Sequence, residues 1–242
     1  MHNLGVTRAS RRQDHLLQTP DTFIRAPLPG MQAATAIIHC ASANGAGFTA
    51  YTAEMQSRGS LAPASGERFV YVLEGSIAVA AQKLVAGGYA YLPAGTAQSI
   101  LASEVSRVLV IEKEYQSVSG SIAPRSLHGN EAALAPQPLL GDPAIGVRML
   151  LPDSPEFDFA VNTMTFQPGA SLGMVEMHVM EHGLLVLAGG GIYRLNDSWY
   201  PVTAGDFIWM APFCPQWFGA IGKSPAKYLI YKDWNRHPLP SL

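Results

Sequence analysis

The chain has two cysteines, Cys40 and Cys214, in 242 residues, and neither belongs to a CxxC pair. That excludes a disulfide framework and makes a reducing compartment the default expectation. Charge is scarce as well. Sixteen Lys and Arg stand against 18 Asp and Glu, a formal net charge of -2. No global positive field exists to attract a phosphate backbone, which argues against a nucleic-acid partner. Arg8, Arg11 and Arg12 form a basic group near the start, and three arginines in such a place read as a solvated arm. No apolar stretch approaches bilayer-spanning length, and the opening residues lack a continuous apolar segment before a small-residue cleavage site. A soluble, cytoplasmic protein is expected. Low-complexity segments are missing too: the 23 Gly and 18 Pro are dispersed, which fits many short strands joined by tight turns.

What is present is 48 % hydrophobic residues, enough for one sizeable core or two smaller ones. Residues 1–30 read as an ordered arm or irregular lead-in. Strand-like segments follow at Ala33 to Cys40 and Phe48 to Ala53, then more clearly at Arg68 to Gly75, Ser76 to Ala81, Tyr89 to Gly95 and Arg107 to Ile111. Short strands at this spacing, punctuated by Gly and Pro, predict an all-β sandwich or barrel. Residues 115–155 carry Pro124, Pro136, Pro138, Pro143, Pro152 and Pro155. They read as a Pro-rich crossover, packed in places by Leu139, Leu140, Val147, Met149 and Leu150. The division is expected near residue 125, giving domains 1–125 and 126–242.

The second half repeats the first. Glu67 to Gly75 aligns with Glu181 to Gly189 without a gap. After an insertion around Asn196-Asp197-Ser198-Trp199, Ala86 to Leu92 matches Ala204 to Met210, and the same register sets Gln98 against Gln216. Glycines, apolar alternation and the glutamine in consistent order predict a duplicated β-domain.

The duplication locates the chemistry. Glu176, His178, His182 and Gln216 are candidate metal ligands. Glu176 and His178 face one side of an extended chain, and His182 joins them if the chain bends before it. Two imidazoles, a carboxylate and an amide oxygen suit a divalent cation of intermediate softness such as manganese or iron. Their first-half counterparts are Ala62, Ala64 and Arg68. Alanine cannot coordinate and arginine has no lone pair available, so the first domain reads as a scaffold. Glu67 and Glu181 occupy equivalent positions, which points to a shared structural role and leaves Glu181 outside the ligand set. Cys214, two residues before Gln216, reads as a buried small side chain, and the four tryptophans as core or rim residues.

The run Gly173-x-x-Glu176-x-His178-x-x-x-His182, then Gly205-Asp206-Phe207-Ile208-Trp209-Met210-Ala211-Pro212 and Gln216, resembles the bicupins. Phe166-Gln167-Pro168-Gly169-Ala170, Glu181-His182-Gly183 and Tyr228 to Arg236 narrow the resemblance to the (S)-ureidoglycine aminohydrolase family. The resemblance implies two tandem β-barrel or jelly-roll domains, with the lone metal site in the second. It also implies Mn2+ on Glu176, His178, His182 and Gln216, although cupins in general carry histidine where Gln216 stands. Tyr193, Tyr228 and Lys232 match positions lining the family's substrate site. The implied reaction is hydrolysis of (S)-ureidoglycine to (S)-ureidoglycolate and ammonia in ureide and purine catabolism, by a homo-oligomer acting on a small-molecule ureide. The residues by themselves leave open another metal-dependent bicupin, isomerase or dioxygenase, and a non-catalytic ligand-sensing protein, because one barrel supports many chemistries.

Overall fold

The computed structural model describes residues 7–236. Short apolar runs broken by glycine turns give strands and three brief 3-10 turns among these residues, and no helix among them is long and apolar enough to cross a membrane. The chain forms two units. One comprises Ile24–Leu134 with Ser154–Asp158, and the other Met1–Phe23, Ala135–Asp153 and Phe159–Leu242.

The amino-terminal unit holds a ten-stranded antiparallel sheet. Its continuous path runs Leu127–Asn130, Gly88–Leu92, Glu67–Glu74, Ser106–Lys113, Thr49–Leu61, Ile100–Ala102, Ser76–Val79 and Gln82–Val85. Met31–Cys40 also pairs with Thr49–Leu61. Its core gathers alternate residues of facing strands, with Val70 opposite Val110 and Val72 opposite Val108, all fully buried.

The carboxy-terminal unit holds an eight-stranded sheet in the order Ser10–Arg11, His15–Gln18, Phe207–Met210, His182–Ala188, Ala226–Lys232, Ala160–Phe166, Asp142–Met149 and Gln137–Leu139. A three-stranded sheet of Ser198–Thr203, Gly190–Leu195 and Gln216–Ala220 completes it. Phe166, Leu184, Val186, Tyr193, Ile208, Phe218 and Tyr228 lie in its core.

Several expectations are revised. The lead-in is part of the carboxy-terminal unit, because His15–Gln18 pairs with Phe207–Met210. Leu127–Asn130 stays with the amino-terminal sheet by pairing with Gly88–Leu92, so the units do not divide at residue 125. Arg8 is not a solvated arm residue: its guanidinium donates to both carboxylate oxygens of the fully buried Asp206, and to the Pro201 carbonyl at 2.9 Å. Within the Pro-rich stretch, Leu150 is buried and Leu139 and Val147 pack on the core. Leu140 is 93 % exposed and Met149 is 52 % exposed. Leu140 turns the hairpin at φ 49, which points its side chain away from the sheet.

The repeat is visible in the register. Arg68 faces Leu92 and Glu112 in its sheet as His182 faces Met210 and Lys232 in the other. Gly75 and Gly189, matched in the sequence, both take positive φ (75 and 64), and an added Cβ would meet a backbone oxygen at 2.4 and 2.5 Å respectively. Only glycine makes these turns without strain. The equivalent carboxylates are fastened alike: Tyr91 donates its hydroxyl to Glu67 at 2.6 Å, and Trp209 donates its indole N–H to Glu181 at 2.9 Å.

Glu67 differs in one respect. It is fully buried beside Asp158, which accepts from the Lys113 ammonium at 2.7 Å and the Gln116 amide at 2.8 Å. Glu67 Oε1 and Asp158 Oδ1 have no other hydrogen-bond partner, and a proton shared between the carboxyl groups satisfies both. Burial, then the hydrogen bond and charge of Asp158, hold the Glu67 carboxyl well above the usual range. The folded protein thus keeps a proton that the unfolded chain releases above the ordinary glutamate range, so stability declines as pH rises through neutrality. Glu67→Gln retains an acceptor for Tyr91 and supplies a donor to Asp158. In denaturant titrations its stability relative to the parent is expected to grow between roughly pH 5 and pH 8, by at most about 1.4 kcal/mol per pH unit; a constant offset would contradict the shared proton.

Candidate metal centre

Glu176 lies on an irregular segment, yet its backbone forms an isolated antiparallel bridge with Gln216, N–H to O at 2.8 Å in both directions. Directly opposed residues project their side chains to one side, so this bridge brings the carboxylate and the amide together. His178 follows on the same side, its Nε2 3.2 Å from Glu176 Oε2. The chain bends at Val179–Met180 before His182 opens a strand. The His178 and His182 rings then lie 5.1 Å apart. The turn before Gln216 is fixed from two sides, because Phe213 donates its N–H to the His178 carbonyl at 2.7 Å and Asn196 to that of Pro215 at 2.8 Å. Phe213 holds a left-handed φ of 64, a conformation costing on the order of 1–3 kcal/mol that its surroundings must enforce. The structure thus sets Glu176 beside both His178 and Gln216, with the His182 ring next to that of His178.

The protonation states suit coordination. His182 Nδ1 lies 2.6 Å from the Glu181 carbonyl and donates to it, leaving Nε2 with its lone pair. Burial lowers the His182 pKa to about 3, with the His178 and Lys232 charges acting in the same direction. Gln216 is oriented by the Tyr193 hydroxyl, which donates to Oε1 at 2.8 Å. Tyr193 therefore touches a candidate ligand, a contact absent from its predicted place lining the substrate. The Tyr228 ring lies tilted against Phe166 at 5.4 Å and edge-to-face with Phe218 at 5.6 Å. Burial first, and neighbouring charge after it, push both phenols up, so each remains a neutral hydrogen-bond donor.

Lys232 stands opposite His182 in the ladder and is therefore on the same face. Its ammonium is 4.9 Å from the centre of the Trp234 ring. It also lies 3.2 Å from the Asn162 amide oxygen, in the amide orientation that lets the nitrogen donate to Val161. Trp234 in turn donates to Asp153 at 2.8 Å. Burial lowers the Lys232 pKa, opposed by the Asp153 and Glu176 charges. Asn162, Trp234 and Asp153 did not stand out in the sequence as supports for this lysine.

Two imidazoles, a carboxylate and an amide oxygen fit a divalent cation of intermediate softness. The amino-terminal unit has a cavity of about 790 Å³ lined by Ala62, Ala64 and Arg68, the counterparts of three candidate ligands, and none of these three side chains can coordinate a cation. There Arg68 donates to Glu112 at 2.7 Å and to the Ala62 carbonyl at 2.8 Å, and Tyr51 donates to Glu112 at 2.9 Å. An internal ion pair fills the ligand register. Among the described residues, the group that brings three candidate ligand atoms within 4.8 Å of one another is Asp14, His15 and Cys214. This cluster was not foreseen, because Cys214 lies far in sequence from Asp14 and His15.

The carboxy-terminal unit matches the Cupin domain model over residues 162–231. A protein of Oryza sativa subsp. japonica, "Probable (S)-ureidoglycine aminohydrolase", is 43 % identical over 97 % of this chain and 78 % of its own length. The Arabidopsis thaliana "(S)-ureidoglycine aminohydrolase" is 41 % identical over 97 % of this chain and 80 % of its own. The chain belongs to the (S)-ureidoglycine aminohydrolase family. The crystal structure of the putative glyoxylate-induced protein from Pseudomonas aeruginosa superposes with a TM-score of 0.87 at 29 % identity, covering 99 % of this chain and 96 % of that one. A bicupin fold for this aminohydrolase-family enzyme agrees with the two matched sheets and the cupin match.

The Tyr193 contact gives a direct test. Removing a group that orients a metal ligand typically lowers affinity about 10- to 100-fold. If Gln216 is a ligand, Tyr193→Phe is therefore expected to weaken divalent-cation binding by that range in isothermal titration while the protein stays folded. Unchanged affinity would remove Tyr193 from the support of Gln216.

Proposed function

We propose that the protein hydrolyses (S)-ureidoglycine to (S)-ureidoglycolate and ammonia in ureide catabolism, with Mn2+ held by Glu176, His178, His182 and Gln216. The reading includes action in the cytoplasm as a homo-oligomer. Its main support is one juxtaposition: a half-buried ammonium, Lys232, lies on the sheet face that carries His182, in a family whose relatives bear this activity in their names.

The substrate carries a carboxylate, an amine and a ureido group on one carbon. Hydrolysis breaks the carbon–nitrogen bond to the amine, forms a carbon–oxygen bond to water and releases ammonia. A bound divalent cation would supply positive charge that orients the substrate's anionic and amine groups. Lys232 has two tasks within reach. As an ammonium it pairs with the substrate carboxylate, an interaction strengthened by the low dielectric around it. With its pKa lowered by burial it also exchanges a proton with the departing nitrogen or the incoming water. Asn162 and Trp234 hold the ammonium in place. Tyr193 fixes Gln216, and Tyr228, neutral and close to Glu176, donates a hydrogen bond that orients the bound molecule. Stereoselectivity follows from holding carboxylate, amine and ureido group at three separate points.

Stereospecific analysis of product and ammonia, using freshly generated (S)-ureidoglycine and manganese-reconstituted protein without oxygen, tests the reaction. Oxygen-dependent turnover would favour a dioxygenase, and binding without ammonia release a sensor. Lys232→Met is expected to reduce kcat by about 10²- to 10⁴-fold with manganese stoichiometry unchanged. Loss of the metal in that variant would contradict the assigned role.

A further inference from the structure

Asp14, His15 and Cys214 have no part in this chemistry, yet their arrangement is that of a ligand set. We propose that they form a second cation site, selective for a thiophilic divalent ion of the zinc class. Their candidate donor atoms lie within 4.8 Å of one another. His15 and Cys214 are 2 % and 4 % exposed, and the Asp14 side chain is 32 % exposed, leaving one open approach. A thiolate with one imidazole and one carboxylate makes three protein ligands and leaves a fourth position for water, a donor set that favours zinc over manganese.

The surroundings are those expected around metal ligands. Tyr200 Oη lies 2.9 Å from His15 Nε2, and Ser10 Oγ lies 3.1 Å from Tyr200 Oη. Asn196 donates to Asp14 Oδ2 at 2.7 Å, which leaves Oδ1 facing His15 Nδ1 at 2.9 Å. On binding, the imidazole proton resides on Nε2, where Tyr200 accepts it, and the thiol proton passes to solvent. The cation then joins Nδ1, Oδ1 and Sγ. Ala211 already donates its N–H to the Asp14 carbonyl at 2.9 Å, so the ion fastens the lead-in strand to the turn that delivers Gln216.

Cobalt distinguishes the two sites, because the four-ligand site offers only nitrogen and oxygen donors. Metal-free full-length protein is expected to bind two Co2+ per chain, one of them giving a thiolate-to-cobalt charge-transfer band in the near ultraviolet. Cys214→Ser should lose the band and one equivalent, with Cys40 still present. Asp14→Asn should weaken the band-forming site about tenfold or more. His178→Ala should keep the band. In the unsubstituted protein, Zn2+ but not Mn2+ should slow alkylation of Cys214, a readout that does not require the variant to fold. Absence of the band, its persistence in Cys214→Ser, its loss in His178→Ala, or alkylation unaffected by Zn2+ would overturn the proposal.

Discussion

Two paired strands can present an imidazole and an ammonium on one face only while their register holds, since a slip of one residue turns every side chain to the other face. The His182–Ala188 strand is locked at the critical end. Glu181 is tied to Trp209 through the indole N–H, and the next residue, His182, is opposed by Met210 on one side and Lys232 on the other. Behind the lock, Leu184 and Val186 enter the core. Ligand geometry, the tautomer of His182 and the proximity of Lys232 all follow from that single alignment.

The two units show how little must change to redirect such a scaffold. Tyr51 and Asn162 are paired two residues before Glu112 and Lys232 along their partner strands, at Val110 and Ile230. The trio His182, Lys232 and Asn162 therefore stands where the other sheet has Arg68, Glu112 and Tyr51. In one unit an imidazole keeps its Nε2 lone pair beside an ammonium; in the other a guanidinium is neutralised by a carboxylate that also accepts from a phenol. The fastening carboxylate at the preceding position is kept in both. Scaffold and chemistry are separable here at the level of single residues.

That separation also explains what the sequence reveals. The repeat made the shared role of Glu67 and Glu181 legible, because two carboxylates in equivalent positions share a mechanical cause more readily than a catalytic one. Glu176, His178, His182 and Gln216 were legible as a candidate set from residue type and spacing, and the bend before His182 was the set's one geometric condition. The role of the lead-in was not. Arg8, Asp14 and His15 find their partners near residues 196–214, and no local periodicity encodes a contact across most of the chain. The units also interleave in sequence, with Ser154–Asp158 belonging to the earlier unit and Ala135–Asp153 before it to the later one. A composition break marks a change in the chain, but hydrogen bonding decides where each segment belongs.

The sheet that carries His182 ends in Ser10–Arg11, a two-residue strand beyond His15–Gln18. An edge that short offers few unpaired amides for a foreign strand to copy. Were the lead-in peeled away or shortened past Gln18, Phe207–Met210 would become the rim, and its exposed ladder would template aggregation two strands from the ligands' lysine partner. The modest opening segment thus doubles as a guard against aggregation along this sheet edge, and truncation past Gln18 carries a solubility hazard that the remote chemistry would not reveal.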